Sequence, residues 1–256
     1  MAKGKPGADS SVLVTTQIDG KSLVDLATQF YGQHPVFWGR YFTSPSTTGD
    51  VEYRHLKEDK ILHDHNIRVL PIARQTRRVH GTKDDGIADA KANVDDFLAT
   101  FGADYLATLG KDFYMFLDVE GSPSLSEAYY IGWAQTLSSY SGAKTGQKVL
   151  VLPCVYATKS DTQTWSAVTA AVHAGHSGAP CQGAWVAAWP SSGCQPLPDW
   201  DPHKFMPSVA IPFKVLAWQY ADSCHGNSGF DCSETNPEIN LNSELLNHLV
   251  LPPSRT

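Results

Sequence analysis

Short apolar runs alternate with amphipathic helical segments between residues 12 and 156 of this 256-residue chain, and this alternation constrains the fold more than any other feature. Each apolar run predicts a strand, and the apolar residues at helical spacing between the runs predict helices. Strands that alternate with helices form a parallel sheet, because each helix returns the chain to the start of the next strand. The predicted strands span residues 12–18, 36–42, 67–73, 113–120 and 148–156.

After residue 156 the helical segments become sparse. One alanine-rich helix is predicted at residues 165–173, and apolar runs follow at residues 183–189 and 214–220. The stretch between these two runs is rich in proline, which lacks a backbone N–H and disrupts helices. We therefore predict an α/β fold, a single TIM-like (β/α) barrel with five β/α units followed by three strands with reduced helices. A doubly wound open sheet is the alternative, but no glycine-rich phosphate loop follows the first predicted strand.

Composition and charge restrict the class of protein and its partners. Hydrophobic residues make up 42% of the chain and charged residues 18%, which is typical of a globular protein. The net charge of -6 without a basic stripe argues against nucleic acid as a partner. No apolar run approaches the ~20 residues of a membrane span. We expect a monomer with a barrel domain at residues 12–250, a polar N-terminal tail at residues 1–11 and a C-terminal tail at residues 251–256.

The apolar run at residues 113–120 ends in two carboxylates, Asp118 and Glu120. Strand side chains alternate between faces, so the two point the same way, with Cα atoms roughly 6.5–7 Å apart. Two like charges this close raise the pKa of at least one carboxyl group. A general acid needs such a raised pKa beside a partner that stays ionised. A strand end with both acids facing water is the alternative interpretation.

Polar and aromatic side chains occupy the C-terminal ends of the other predicted strands. In a (β/α) barrel the chemistry lies at these ends. Carboxylates surrounded by aromatic rings are typical of a sugar-cleaving cleft, because acids act on the glycosidic bond and rings pack against sugar C–H groups. Asp19 ends the first predicted strand. The predicted substrate-binding residues are Arg40, Gln75, Tyr156, Trp189, Gln219, Tyr220 and Asp222.

These motifs occur in an order that resembles the glycoside hydrolase family 25 lysozymes. The order is Gln-Ile-Asp19, Phe-Leu-Asp-Val-Glu120, Ala-Trp-Val-Ala-Ala-Trp189, and Ala-Trp-Gln-Tyr220 with a later Phe-Asp231. The segments at residues 36–42 and 67–73 are similar to an uncharacterised bacterial sister family of glycoside hydrolase-like barrels. The resemblance implies a (β/α)-type barrel and cleavage of the N-acetylmuramic acid linkage of peptidoglycan. By position it makes Glu120 the general acid and Asp118 the carboxylate that orients the substrate's N-acetyl group, with Asp19 and Asp231 completing the acidic cluster.

Two classes of function stay open. The first is a retaining glycosidase acting on N-acetylated, cell-wall-type glycans, whose acetamido group supplies the nucleophile. The second is a barrel of the same ancestry that binds a glycan or another surface ligand without cleaving it. We predict no cofactor and no metal site, because the paired histidines at residues 63 and 65 and at 173 and 176 have no clear carboxylate partner.

The five cysteines bear on disulfides and on the compartment. Cys154 lies in an apolar run and is predicted to be a buried free thiol. The other four lie in predicted loops, and their spacing favours disulfides Cys181–Cys194 and Cys224–Cys232, with reduced thiols as the alternative. Disulfides indicate an oxidising compartment, so we expect a secreted or cell-envelope protein. The polar N-terminus lacks the apolar core of a signal peptide, and a cytoplasmic location is the alternative.

Overall fold

The computed structural model describes residues 2–43, 51–74, 77–120 and 123–254. In these residues eight strands close into a barrel, and two short strands form a separate hairpin. The strands are β1 (Pro6–Asp9), β2 (Gln17–Ile18), β3 (Lys21–Ser22), β4 (Phe37–Phe42), β5 (Arg68–Arg74), β6 (Asp112–Val119), β7 (Leu150–Thr158), β8 (Ala184–Ala187), β9 (Val215–Cys224) and β10 (Phe230–Thr235).

The strand order around the barrel is β1-β10-β9-β8-β7-β6-β5-β4. Neighbouring strands are parallel from β1 through β4 to β9, whereas β10 runs antiparallel to both β9 and β1. The predicted TIM-like α/β barrel is thus confirmed, and the doubly wound open sheet is excluded because this sheet closes on itself. The parallel strands all end at the same rim of the barrel, which is where polar side chains of distant segments can meet.

Helices connect the parallel strands and cover the barrel. Thr82 opens α3 with a reciprocal capping box to Asp85, and Ser126 opens α5 by accepting a hydrogen bond from the backbone N–H of Tyr129. None of the helices within the described residues is long and apolar enough to cross a membrane. The helices are α1 (Leu23–Tyr31), α2 (His55–Asp64), α3 (Lys83–Phe101), α4 (Ala103–Leu109), α5 (Glu127–Thr145), α6 (Thr162–His173), α7 (Pro202–Phe205) and α8 (Leu241–Glu244).

The first barrel strand is β1, and the prediction of this strand at residues 12–18 is wrong. Within that segment only Gln17–Ile18 is a strand, and it pairs with β3 outside the barrel. The prediction of a polar tail at residues 1–11 is also wrong where it includes β1, because this strand belongs to the barrel and lies between β10 and β4. Gly7 allows this placement, because a Cβ there would lie 2.2 Å from the ring of Phe37. Pairing with two neighbours makes this short, weakly apolar segment a strand.

Side chains of the barrel strands alternate between the interior and the helices. Trp185 lies at the centre of the interior, where Phe37 and Phe116 pack edge-on against its ring. Side chains at the intervening positions, such as Trp38 and Phe42, join the larger core formed with the helices. The aromatic filling closes the middle of the barrel, and inward-facing polar residues such as Asp118 and Gln219 lie on the side of its C-terminal rim.

Candidate active site

Asp118 and Glu120 lie at the C-terminal end of β6, as the sequence predicts. Alternation along β6 turns Asp118 inward, where it is 2% exposed. One of its carboxylate oxygens accepts a hydrogen bond from the backbone N–H of Glu120 at 3.1 Å. The other lies 3.5 Å from Nε of Arg74, the residue paired with it on β5. Asp118 is therefore held in place by its own strand end and by a neighbouring cation.

Asp9 and Asp231 lie next to each other on neighbouring strands, on the side of the rim opposite Asp118. Asp9 ends β1, Asp231 lies on β10, and the two are direct partners in the pairing of these strands. The side-chain amide of Gln219 donates to Asp9 at 2.9 Å and to Asp231 at 3.4 Å. The backbone N–H of Ser223 donates to the second oxygen of Asp231 at 2.6 Å. Asp9 therefore has the strand-end position that the sequence analysis gave to Asp19.

The pKa values of this aspartate pair are raised. Burial raises the pKa of Asp9 well above its usual value, and the nearby charges of Asp231, Glu120 and Asp118 raise it further. Burial also raises the pKa of Asp231 to about 7, against the lowering effect of the Ser223 N–H. Carboxyl groups that share a desolvated site cannot all ionise at once. The cluster therefore retains protons near neutral pH.

Tyr156 and Trp189 link this pair to Glu120. The Tyr156 hydroxyl lies 2.5 Å from Oε1 of Glu120 and 2.8 Å from Oε1 of Gln219. The indole N–H of Trp189 donates to the same oxygen of Gln219 at 2.6 Å. Gln219 is fully buried, whereas the Trp189 ring is 41% exposed. A solvent-facing ring is thus joined to buried carboxylates through one amide.

The carboxylates open into a polar cavity of about 270 Å³. A second, larger cavity of about 600 Å³ includes Trp189, Thr158 and Ser160 in its lining. In this second cavity Trp189 offers an aromatic face and Thr158 and Ser160 offer hydroxyl groups, a combination suited to sugars. The first cavity is lined in part by Asp9, Tyr41, Arg74, Glu120 and Asp231.

The other predicted site residues lie elsewhere. Asp19 is in the turn between β2 and β3 with a φ of 51°, and it does not line either cavity described above. Arg40 is fully buried on the outward side of β4, where Nε lies 2.8 Å from Glu58 of α2. Tyr220 also faces outward, and its hydroxyl donates to the carbonyl of Gln195 at 3.2 Å. These three residues therefore do not join the carboxylate cluster.

Two further predicted residues have different outcomes. Asp222 lies at the edge of the cluster, since its charge raises the pKa of Asp231. Gln75 lies outside the described residues.

Asp9 is the principal site residue that the sequence analysis missed, because Pro-Gly-Ala-Asp9 contains no apolar run. The sequence contains only a weak signal for Asp9, a short segment of small residues that ends in an acid.

One disulfide joins Cys194 to Cys224, and the predicted pairs Cys181–Cys194 and Cys224–Cys232 are wrong. The reason lies in strand register, since Cys232 on β10 lies opposite Ala221 while Cys224 lies opposite Phe230. Cys154 is a buried free thiol, as predicted, and Cys181 and Cys232 are free as well. The disulfide connects the segment that follows Trp189 to the end of β9, next to Ser223 and hence to Asp231.

Solved structures with the same barrel fold include glycoside hydrolases. No protein-family model matches the sequence, and no curated protein matches it. Among solved structures, an uncharacterized B. stearothermophilus protein aligns with a TM-score of 0.68 and 22% identity, over 96% of this chain and 100% of that chain.

Two enzymes share the fold at lower similarity. A muramidase from Acremonium alcalophilum aligns with a TM-score of 0.52 and 14% identity, over 95% of this chain and 99% of its own. A glycosyl hydrolase 25 of Streptococcus pneumoniae aligns with a TM-score of 0.51 and 14% identity, over 97% of this chain and 94% of its own. The fold of this chain is that of the lysozyme-like barrels of glycoside hydrolase family 25.

Proposed function

We propose that this protein is a retaining glycoside hydrolase that cleaves β-glycosidic bonds in N-acetylated, cell-wall-type glycans. The observation that supports it most is the convergence of carboxylates from three separate strands in one open cavity. Asp9 of β1, Glu120 after β6 and Asp231 of β10 line this cavity, and Asp118 lies beside it. Burying like charges is costly, so such a cluster is expected at a functional site rather than as a source of stability.

Glu120 is the proposed general acid. It lies at the cavity and contacts the hydroxyl of Tyr156, a group that can either donate or accept a hydrogen. In the first step Glu120 would transfer its proton to the glycosidic oxygen as the bond to the anomeric carbon breaks. In the second step the resulting carboxylate would take a proton from the attacking water, which returns Glu120 to its acid form.

Asp118 is the proposed orienting carboxylate. The acetamido oxygen of the substrate would attack the anomeric carbon and form a cyclic intermediate, and two inversions at that carbon give net retention. Positive charge develops on the acetamido nitrogen during this attack. The Asp118 carboxylate, positioned by Arg74 and by the N–H of Glu120, is placed to accept the acetamido N–H and to stabilise that charge.

Asp9 and Asp231 have a supporting role in this proposal. Their raised pKa values mean that the pair can retain a proton and donate a hydrogen bond to a sugar hydroxyl near neutral pH. The exposed ring of Trp189 supplies a surface for the apolar face of a neighbouring sugar. Neighbours of the same fold include a spore cortex lytic enzyme from Clostridium perfringens and the catalytic domain of an endolysin from a Listeria monocytogenes bacteriophage. Action on a cell-wall glycan and the disulfide Cys194–Cys224 both favour a secreted or envelope location.

The test is a turnover assay on peptidoglycan fragments and on chitin-type oligomers, with binding of each oligomer measured in parallel. We expect cleavage with retention of anomeric configuration, observed by NMR of the freshly formed products. Glu120→Gln is the control for contaminating activity. Tight binding without cleavage of any oligomer would instead support the alternative function, a barrel that binds glycan without cleaving it.

A further inference from the structure

Gln219 is a buried amide that contacts four side chains of the site. Its Oε1 lies 2.8 Å from the Tyr156 hydroxyl and 2.6 Å from the indole nitrogen of Trp189. Its Nε2 lies 2.9 Å from Asp9 and 3.4 Å from Asp231. These contacts use both lone pairs of the amide oxygen and both hydrogens of the amide nitrogen. A residue expected from the sequence to bind substrate is therefore inaccessible to substrate, since it is fully buried.

Trp189 determines which way this amide points. The oxygen and nitrogen of a glutamine side chain are normally assigned from their hydrogen-bond partners. The indole N–H can only donate, so the atom that it contacts must be the amide oxygen. The amide nitrogen consequently faces Asp9 and Asp231, and the Tyr156 hydroxyl meets an oxygen that can only accept a hydrogen.

The Tyr156 hydroxyl has a single hydrogen but contacts two oxygens, Oε1 of Gln219 and Oε1 of Glu120. When Glu120 is protonated it can donate to Tyr156, while Tyr156 donates to Gln219, and both contacts are hydrogen bonds. When Glu120 is ionised, the hydrogen of Tyr156 goes to Glu120. Gln219 then loses one donor. The acceptor oxygen of Gln219 thus stabilises the protonated form of Glu120 selectively.

Other charges around Glu120 act on the same equilibrium. The carboxylates oppose its ionisation, whereas the guanidinium of Arg74 on β5 favours it. Nε of Arg74 is 3.5 Å from a carboxylate oxygen of Asp118, so the positive charge of Arg74 is partly neutralised by Asp118 and stabilises ionised Glu120 less. The titratable groups that face Glu120 or its neighbours are Asp9 of β1, Tyr41 of β4, Arg74 of β5, Asp118 of β6, Tyr156 of β7, Asp222 of β9 and Asp231 of β10.

We propose that Gln219 is a positioning residue that acts on Glu120 through Tyr156. Gln219 accepts the hydroxyl hydrogen of Tyr156, which leaves the Tyr156 oxygen to accept a hydrogen from Glu120. In this way Gln219 holds Glu120 in its proton-donating form. The inference rests on the proposed role of Glu120 as general acid. It goes further by assigning the residue that maintains the required protonation state. Trp189 orients Gln219, so the same chain of hydrogen bonds extends to the ring at the surface.

The direct test is titration of the Glu120 carboxyl group by NMR with carbon-13 label, which needs no turnover. We expect the midpoint to fall by about 0.4–1 pH unit in Gln219→Met, because it removes one neutral hydrogen bond from the protonated form alone. Tyr156→Phe should move the midpoint less, because it also removes the charge-assisted bond that the hydroxyl donates to ionised Glu120. The effect of Gln219→Met should shrink when Tyr156 is already phenylalanine, since the path through the hydroxyl is then gone. Tyr114→Phe is the matched control, because this tyrosine lies in the barrel interior on β6, where it stacks on His248.

Turnover supplies a second measurement. The alkaline limb of the pH profile of kcat/KM should move to lower pH by the same amount in Gln219→Met and stay unchanged in Tyr114→Phe. Shifted Glu120 midpoints in a protein that cleaves no glycan would refute the proposed function while supporting the role of Gln219. Unshifted midpoints, or an equal effect of Gln219→Met in both Tyr156 backgrounds, would overturn that role. Should Gln219→Met fail to fold, Gln219→Leu replaces it, since leucine also lacks an acceptor for the Tyr156 hydroxyl, and an unmoved midpoint in that variant equally removes the proposed path.

Discussion

Two groups of buried charges lie on opposite sides of the barrel wall, and they are built differently. Between β4 and α2, Arg40 and Glu58 are both fully buried and form an ion pair at 2.8 Å. The remaining hydrogen-bonding atoms of this pair contact backbone groups, among them the carbonyl of Ser10 and the N–H of Val14. At the rim, by contrast, four carboxyl groups cluster: Asp9, Glu120 and Asp231 line one cavity and Asp118 lies beside it, with Arg74 as a nearby cation.

The comparison shows which buried charges hold the fold and which are available for chemistry. The Arg40–Glu58 pair is neutral as a whole and sealed from solvent, so neither partner can exchange protons with a ligand. The rim cluster is uncompensated, raises the pKa values of Asp9 and Asp231, and opens to solvent. Loss of one charge should therefore cost stability in the first group and activity in the second.

The largest effect is expected for Glu120→Gln, which keeps the side-chain shape and removes the transferable proton. Turnover should fall by ~10²–10⁴, while glycan affinity stays within a few-fold, because general acid catalysis acts in the transition state. Steady-state kinetics and calorimetric binding measure the two quantities. The free energy of unfolding should change little, since glutamine is as neutral as the protonated Glu120 that it replaces. Unchanged turnover in this variant would remove the distinction between the two groups.

Arg40→Met tests the other side of the comparison. It leaves the Glu58 carboxylate buried without its cation, so the free energy of unfolding should fall by roughly 3–5 kcal/mol. Denaturant unfolding followed by circular dichroism measures this change. Folded Arg40→Met protein should keep its turnover at low temperature, because Arg40 faces away from the cavity. Replacing Glu58 by Leu in the same protein should restore part of the stability, and a failure to do so would argue against the ion pair as the cause.

The disulfide should have an intermediate effect that reaches both stability and the rim cluster. Replacing Cys194 and Cys224 by serine opens a loop with a sequence separation of 30 and should cost about 3.6 kcal/mol by the chain-entropy estimate. Wild-type protein treated with a dithiol reductant should match this double variant. Peptide mapping by mass spectrometry without reduction should find Cys194 linked to Cys224, whereas a Cys224–Cys232 link would contradict the structure.

The smallest effect concerns the pH dependence of stability. The pKa of Asp231 is about 7 in the folded protein and near 4 when unfolded, so the folded state binds more protons in this window. Stability should consequently fall as pH rises from about 4 to about 7. In Asp231→Asn the loss of unfolding free energy between pH 4 and pH 7 should be smaller than in wild type by on the order of 1–3 kcal/mol. Denaturant unfolding at several pH values measures it. The exposed Asp104, replaced by Asn, serves as control, and an identical pH dependence in Asp231→Asn and wild type would refute the raised pKa.

Much of the barrel and three of the four carboxyl groups of the cluster could be predicted from the sequence, Asp118 and Glu120 from the local pattern and Asp231 from the resemblance. The strands β4 to β7 are long, apolar and separated by helical periodicity, so each is specified by its own residues. The same local information predicted that Asp118 and Glu120 share one strand end. Trp189 follows the end of β8, as predicted, whereas Gln219 lies in the middle of β9, which continues to Cys224. The hydrogen bonds of the Gln219 amide depend on four side chains from other strands and loops.

The remaining features depend on pairing between distant segments. The strand β1 has few apolar residues, and it forms because β10 and β4 supply hydrogen-bond partners on both sides, which brings Asp9 opposite Asp231. Arg40 faces outward because a shift of one residue along a strand exchanges its faces, and only the closed barrel sets that register. Cys194 meets Cys224 through the same kind of long-range placement. The sequence by itself determined where regular strands form and which of them end in acids. Tertiary structure decided which acids meet, because contacts between segments far apart in the chain leave no local periodic signal.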